Sequence, residues 1–210
     1  NHQAFIFEVN ARLSINQKYY SYPDRRYVYE TPFPYIWFHF KQAVPWLGAD
    51  VKYTHLGMSI KETHSLGVRG RIEYLLNGGV FVNKGEMSFI DHKHFLGGQT
   101  VLSNPENYLR SFLLLPYYDL STNNSYGQLH LQYHFDGYIM DKLPLLNKLA
   151  WSLVAGGKVL FTEADPYREY HVGLDNIGFG IFKLIRLDAV WSQGLENQNS
   201  FGWRLGIGFE

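Results

Sequence analysis

Apolar and polar residues alternate along most of this chain, the pattern of strands with one dry and one wet face. From Phe5 one parity reads Phe5, Phe7, Val9, Ala11, Leu13 and Ile15. The other reads Glu8, Asn10, Arg12, Ser14 and Asn16, with Ile6 the exception. Residues 17–32 are Tyr-rich and polar, with Pro23, Asp24 and Pro32, and predict a long loop. Phe33 to Ala43 predicts a second, aromatic-heavy strand; after a turn over Pro45 to Asp50, Val51 to Thr63 predicts a third. From Leu66 the alternation sharpens, with Leu66, Val68, Ile72, Tyr74 and Leu76 against Arg69, Arg71, Glu73 and Asn77, in one strand reaching Val82. Residues 84–107, with Asp91-His92-Lys93-His94, Gly97-Gly98 and Pro105, are irregular, and Tyr108 to Leu120 predicts another strand.

Residues 127–137 alternate most clearly. Leu129, Leu131, Tyr133 and Phe135 oppose Gln128, His130, Gln132, His134 and Asp136. Residues 141–150 predict the one helical turn. Strands follow over Trp151 to Thr162, Arg168 to Asn176 and Ile181 to Ser192; the last sets Ile185, Leu187, Ala189 and Trp191 against Arg186, Asp188 and Ser192. The closing strand sets Phe201, Trp203, Leu205, Ile207 and Phe209 against Gly202, Arg204, Gly206, Gly208 and Glu210. The expectation is all-β, with roughly ten strands.

Alternation alone fits a membrane barrel, a lipocalin-like barrel or a sandwich. Three features favour an antiparallel transmembrane β-barrel. Several strands alternate for about ten residues, the length a tilted membrane-crossing strand needs. The polar parity carries Arg, Glu, Asp, His and Gln, suited to a lumen. The connections are uneven, with long ones at 17–32 and 84–107 and short ones elsewhere. Arg69, Arg71, Glu73, Gln128, His130, Gln132, His134, Asp136, Arg186, Asp188 and Arg204 are then expected to face the lumen, in a structural or transport role.

Composition refines this picture. The chain has 210 residues, enough for one domain, and 17% are aromatic, in keeping with interfacial belts. Net charge is zero, which removes the basic surface that nucleic-acid binding needs. Cysteine is absent, excluding disulfides and Cys-based zinc sites. No apolar run reaches the roughly 18 residues of a spanning helix. The chain starts at Asn1 without a secretory signal, so it is expected to be processed or truncated.

Several segments carry a family resemblance: His94-Phe95-Leu96-Gly97-Gly98-Gln99-Thr100, Leu114-Leu115-Pro116-Tyr117-Tyr118, His134-Phe135-Asp136-Gly137-Tyr138, Lys142-Leu143-Pro144-Leu145-Leu146-Asn147-Lys148-Leu149 and Val172-Gly173-Leu174-Asp175-Asn176-Ile177. Ile185-Arg186-Leu187-Asp188 and Gly206-Ile207-Gly208-Phe209-Glu210 complete them. In this order they resemble the C-terminal region of a Bacteroidetes outer-membrane family of unknown function, in which a carboxypeptidase-regulatory-like domain precedes a β-barrel. The ending, with Arg186 and Asp188 before a Gly-rich last strand, is similar to the BamA-type surface-antigen superfamily. The resemblance implies that residues 1–210 are the C-terminal barrel domain of a longer protein with an N-terminal periplasmic domain, and that the full barrel has more strands. It also implies a bacterial outer-membrane location, with membrane lipid and periplasmic or outer-membrane proteins as partners.

Candidate chemistry is sparse. Asp91, His92 and His94 have donor types that suit a metal, but Lys93 among them disfavours a cation, so a structural or surface role is expected. His130 and His134, four apart on a strand, are separated by roughly 13 Å, too far for one metal. No Gly-x-Ser-x-Gly elbow is present, and Gly78-Gly79 and Gly156-Gly157 are expected to mark bends or bulges. No catalytic residue, metal or cofactor is assigned. The expected function is a non-catalytic barrel in transport or outer-membrane biogenesis. The alternatives are a small-solute channel, a barrel-embedded hydrolase and a soluble ligand-binding barrel.

Overall fold

The computed structural model describes residues 2–28, 33–98, 100–103, 108–144, 146–179, 182–195 and 198–207. Asn1, Pro32, Gln99, Pro105, Leu145, Ile181 and Gly208 to Glu210, named above, lie outside the described residues. The strands in chain order are β1 (Phe5–Ser14), β2 (Tyr19–Ser21), β3 (Arg26–Val28), β4 (Tyr35–Val44), β5 (Tyr53–Ser65), β6 (Arg71–Val82), β7 (Leu102–Ser103), β8 (Tyr126–His134), β9 (Ser152–Phe161), β10 (Tyr167–Phe179), β11 (Phe182–Leu195) and β12 (Gln198–Ile207). Ten of them form one sheet in the order β1-β4-β5-β6-β8-β9-β10-β11-β12-β7, and β2 and β3 form a separate hairpin. Every pairing in the large sheet is antiparallel except the short β12–β7 contact.

The sheet does not close among the described residues, and the transmembrane barrel is corrected on that point. Its two ends are β1 and β7. The far side of β12 is occupied by the parallel pairing of Leu205 with Leu102 and Gly206 with Ser103, and the Leu205 N–H donates to the Val101 carbonyl at 2.8 Å. Among the described residues β1 pairs with β4 alone, so its other edge carries backbone groups that no described strand meets. An open edge in hydrocarbon leaves N–H and C=O groups unsatisfied at several kcal/mol each. The outer-membrane location, which a β-sheet protein can take only as a closed barrel, is corrected with it. No helix of the described residues is long and apolar enough to cross a membrane.

Alternation sorts the sheet's two faces by register. One face carries rows such as Val9, Phe40, Leu56 and Val80, or Val172, Ala189 and Trp203, each residue opposite the next. Leu129, Leu131, Tyr170, Trp191, Phe201 and Trp203 on this face are exposed. Its one acidic row position, Glu62, accepts a hydrogen bond from the Tyr74 hydroxyl. Apolar exposure this continuous exceeds scattered surface hydrophobics. The other face is polar and covered.

Residues 83–125, between β6 and β8, provide that cover. Tyr108 to Leu120 is not the strand its composition predicts. Its apolar residues run consecutively, and Tyr108, Leu109, Phe112, Leu113 and Leu115 are all buried. Positive φ at Tyr118 (68°) and Leu120 (58°) breaks any extended run. The core lies between this segment and the sheet. Phe95, Phe112 and Leu115 pack with Tyr126, Leu160 and Tyr167, and Tyr108 and Leu113 pack with Val190. A third cluster, Ala43, Val51, Tyr53 and Phe81, closes the end near β4 to β6.

Other expectations shift locally. The 17–32 loop contains the β2–β3 hairpin. The strand expected from Leu66 starts at Arg71, because Gly67–Arg69 form a 3-10 turn bounded by Gly70 at φ 109°. The helical stretch is two 3-10 turns, Met140–Lys142 and Leu146–Lys148. Gly156 and Gly157 sit in unbroken register with β10, with no bulge between them. Gly156 has a packing reason: a Cβ there would lie 2.4 Å from His171 Cε1 and 2.5 Å from the Leu131 carbonyl. A Cβ on Gly157, on the opposite face, meets nothing closer than 3.6 Å. Gly156→Ala is therefore expected to destabilise by roughly 1–3 kcal/mol and Gly157→Ala to leave stability nearly unchanged, as measured by denaturant unfolding; equal effects would contradict this packing.

Candidate functional site

The covered face of β8 to β12 presents charges to the backbone of the covering segment. Glu169 on β10, fully buried, accepts three consecutive backbone N–H groups: Leu113 at 2.7 Å, Leu114 at 2.7 Å and Leu115 at 3.0 Å. The Tyr167 hydroxyl adds a fourth bond at 2.7 Å. Burial, then Glu169, pushes that phenol's pKa strongly up, so it stays a donor. Lys158 on β9 donates through Nζ to the Tyr108 and Ser111 carbonyls, each at 2.5 Å. Burial lowers its pKa to about 8, opposed by Glu169. Arg204 on β12 donates to the Leu113 carbonyl at 2.5 Å and the Gly98 carbonyl at 2.9 Å. His130 Nδ1 donates to the Leu109 carbonyl at 2.7 Å.

Arg186 and Asp188, two apart on β11, form a buried two-point pair at 2.8 and 2.9 Å. The Arg186 guanidinium lies 4.4 Å from the Tyr108 ring centre. Arg71 Nη1 reaches Asp136 at 2.8 Å, its Nε reaches Glu73 at 3.3 Å, and its Nη2 donates to His134 Nδ1 at 3.2 Å. On its other side, His134 Nε2 faces the Gln132 side-chain amide nitrogen at 2.6 Å. Gln128 is buried further along β8. Thus Arg71, Glu73, Gln128, His130, Gln132, His134, Arg186, Asp188 and Arg204 share the covered face, directed at the covering segment and at each other. Asp136 is exposed just past β8, and Arg69 is exposed in the 3-10 turn, where its carbonyl accepts from Tyr133.

Toward β4 to β6 the cover ends and a cleft of about 360 Å³ opens. Its floor is Trp37 and His39 of β4, Ser59 and Lys61 of β5, Leu75 and Asn77 of β6, and Gln128 of β8. Lys93, His94, Phe95, Leu96 and Arg110 of the covering segment form its wall. Three cations face it, and no carboxylate does. Lys93 Nζ lies 5.6 Å from the Tyr126 ring centre, and burial followed by Lys41 lowers its pKa. His39 Nδ1 shares a 2.6 Å hydrogen bond with Asn10 Oδ1 and must donate it. The cleft suits an anion with an apolar body, since Trp37, Leu75 and Phe95 supply apolar surface and Ser59 and Asn77 supply orienting polar groups.

His94 and Ser121 lie 2.8 Å apart, but the Ser121 hydroxyl donates to the Tyr118 carbonyl at 2.6 Å. His94 Nδ1 therefore donates to the hydroxyl, the reverse of the arrangement that activates a serine nucleophile. Burial is the largest influence lowering the His94 pKa. Asp91 does not join His94: its carboxylate caps Ser88 N at 3.0 Å and lies 3.4 Å from His2. No group of three His, Cys, Asp or Glu among the described residues is placed to hold a metal ion. The residues missed by sequence were Lys61, Lys93 and Arg110. The only local signal was Lys93 interrupting a would-be metal motif.

Two outcomes test the covered face. Glu169→Gln turns an acceptor of backbone N–H groups into a side chain whose amide donates toward them, with an expected cost of about 2–5 kcal/mol in denaturant unfolding; an unchanged midpoint would contradict the hydrogen-bond pattern. Burial lowers His130 and His134 from 6.5 to about 3 and His171 to about 2. The folded state then binds fewer protons than the unfolded state across that window. Stability is expected to be complete above pH 6.5 and to fall progressively toward pH 3, with His171→Phe flattening the slope; a flat pH profile would exclude the neutral buried imidazoles.

Comparison with known proteins adds one finding. A family model described as the C-terminal domain of a family of unknown function (DUF5686) matches residues 1–174. No curated protein and no solved structure matches. This corrects the resemblance to an outer-membrane family with a carboxypeptidase-regulatory-like domain and to the BamA-type surface-antigen barrel. The match ends before Arg186, Asp188 and the last strand, on which the surface-antigen likeness rested. Transport or outer-membrane biogenesis through a barrel is corrected on geometry as well. Among the described residues the sheet is unclosed and its polar face is largely covered by its own chain, which leaves no lumen there to carry cargo or conduct a solute.

Proposed function

Since the chain belongs to the DUF5686 C-terminal domain family, whose function is unknown, we propose from its geometry that it is a non-catalytic binding domain taking a small anionic molecule with an apolar body. The observation that carries this reading is the cleft where Lys61, Lys93 and Arg110 converge with no carboxylate in its lining. Charges of one sign in a partly enclosed space repel each other and are stabilised by a bound anion. Lys93 contributes most per contact, because it is partly desolvated and its nearest strong interactions are a ring face and another cation.

The cleft volume of about 360 Å³ lies at the small end of ligand sites, fitting a single aromatic or short aliphatic acid. Trp37 offers a stacking surface and Arg110 a two-point donor for a carboxylate or phosphate. A non-catalytic role agrees with the hydrogen-bond direction at Ser121 and His94. Neutral net charge argues against a nucleic-acid partner.

Calorimetric titration with benzoate, inorganic phosphate and the cation benzamidine tests this. Benzoate and phosphate are expected to bind, more weakly as ionic strength rises, and benzamidine is not. Lys93→Gln should weaken anion binding roughly tenfold, the loss of one charge-assisted contact, without moving the unfolding midpoint downward. Binding of benzamidine as tight as benzoate, or an unchanged anion affinity in Lys93→Gln, would overturn the assignment.

A further inference from the structure

β1 forms a long sheet edge that is open to solvent. Its ten residues pair with β4 on one side, and Ile6 to Leu13 are exposed on both faces. Long, alternating, unprotected edges are templates for another strand. Natural edges are blunted by proline, by bulges or by a central lysine; β1 has no proline and pairs with β4 without a register shift. Its charges are Glu8 and Arg12, one of each sign.

Those two charges select the partner. We infer that the β1 edge pairs with the β1 edge of a second copy, antiparallel about a twofold axis through Asn10. Residues directly opposite in an antiparallel pair share a face. With Asn10 opposite Asn10, Glu8 of each copy meets Arg12 of the other, so the ion pair is made twice. On the apolar face, Phe7 meets Leu13 and Val9 meets Ala11, again twice. Shifting the axis to Val9 places Glu8 opposite Asn10 and Arg12 opposite Ile6. Shifting it to Ala11 places Glu8 opposite Ser14 and Arg12 opposite Asn10. Neither of these neighbouring registers pairs the charges. Opposite charges across strands stabilise and like charges destabilise, so the sequence of β1 favours one symmetric register.

The internal contacts leave these groups usable. Asn10 Nδ2 donates to Glu8 Oε1 at 2.9 Å, which leaves Glu8 further acceptor capacity. The Arg12 guanidinium lies 5.7 Å from the Tyr35 ring centre, a cation–π contact that uses none of its N–H groups on a carboxylate. Such pairing joins two ten-stranded sheets into one, continues the apolar face across the axis and removes both open edges. It does not involve the anion cleft, and either proposal can fail alone.

The test uses the absence of native cysteine. Asn10→Cys places two thiols directly opposite, within disulfide reach. Ser14→Cys places them roughly 26 Å apart in the same register. Oxidation is expected to cross-link the first and leave the second monomeric. Glu8→Arg and Arg12→Glu each set like charges opposite twice and should weaken dimerisation about tenfold or more. An equimolar mixture of the two variants restores both pairs and should dimerise like the parent protein, read by light scattering after size exclusion. Glu8, Asn10 and Arg12 are exposed and Ser14 is half-buried, and circular dichroism is expected to be unchanged. A parent protein that stays monomeric throughout, equal cross-linking of Asn10→Cys and Ser14→Cys, or no recovery in the mixture would overturn the proposal.

Discussion

A single buried carboxylate organises the covered half of this molecule. Glu169 draws three successive backbone N–H groups of 113–115 onto β10, and no hydrophobic contact could satisfy those donors. Lys158, Arg204 and His130 take neighbouring carbonyls, so the segment's backbone is bonded to side chains of four different strands. A sheet with charges on its covered face is normally a liability, since unpaired buried charge costs several kcal/mol. Here an irregular segment supplies the missing partners, and its own irregularity is what frees its backbone groups to do so.

The position of the cleft follows from the same arrangement. Where the covering segment has turned away, the polar face of β4 to β6 is left partly open, and Lys93 stands at the boundary between the two environments. Charges that are saturated by backbone in one half are left for a ligand in the other. The apolar face has the opposite logic: it runs from β1 to β12, and much of it stays exposed.

Strand parity was legible in the sequence because it depends only on nearest neighbours. The division of Leu129, Leu131 and Tyr133 from His130, Gln132 and His134 needs no tertiary information. Closure was not legible, because it depends on what occupies the far side of β12, and two residues near position 102 do so. The misread run from Tyr108 to Leu120 had strand composition but not strand alternation. Its apolar residues are consecutive because the segment is surrounded, not laid flat on a core. The cleft was equally hidden: Lys61, Lys93 and Arg110 are far apart in sequence and meet only when the segment folds back. Gly156 and Gly157 look equivalent in the chain, yet a methyl group clashes at one and fits at the other.

The order of assembly is written into the same contacts. The segment at 83–125 emerges before β8, yet its partners include Glu169 and Arg204, which are tens of residues further on; Gly98 and Arg204 are 106 positions apart. The segment's backbone bonds are therefore complete only when the last strand is in place. Contacts of such long sequence separation make folding slow, and they tie the integrity of the interior to the C-terminal strand. A chain interrupted before β12 would hold most of its sheet and still leave its interior unsealed.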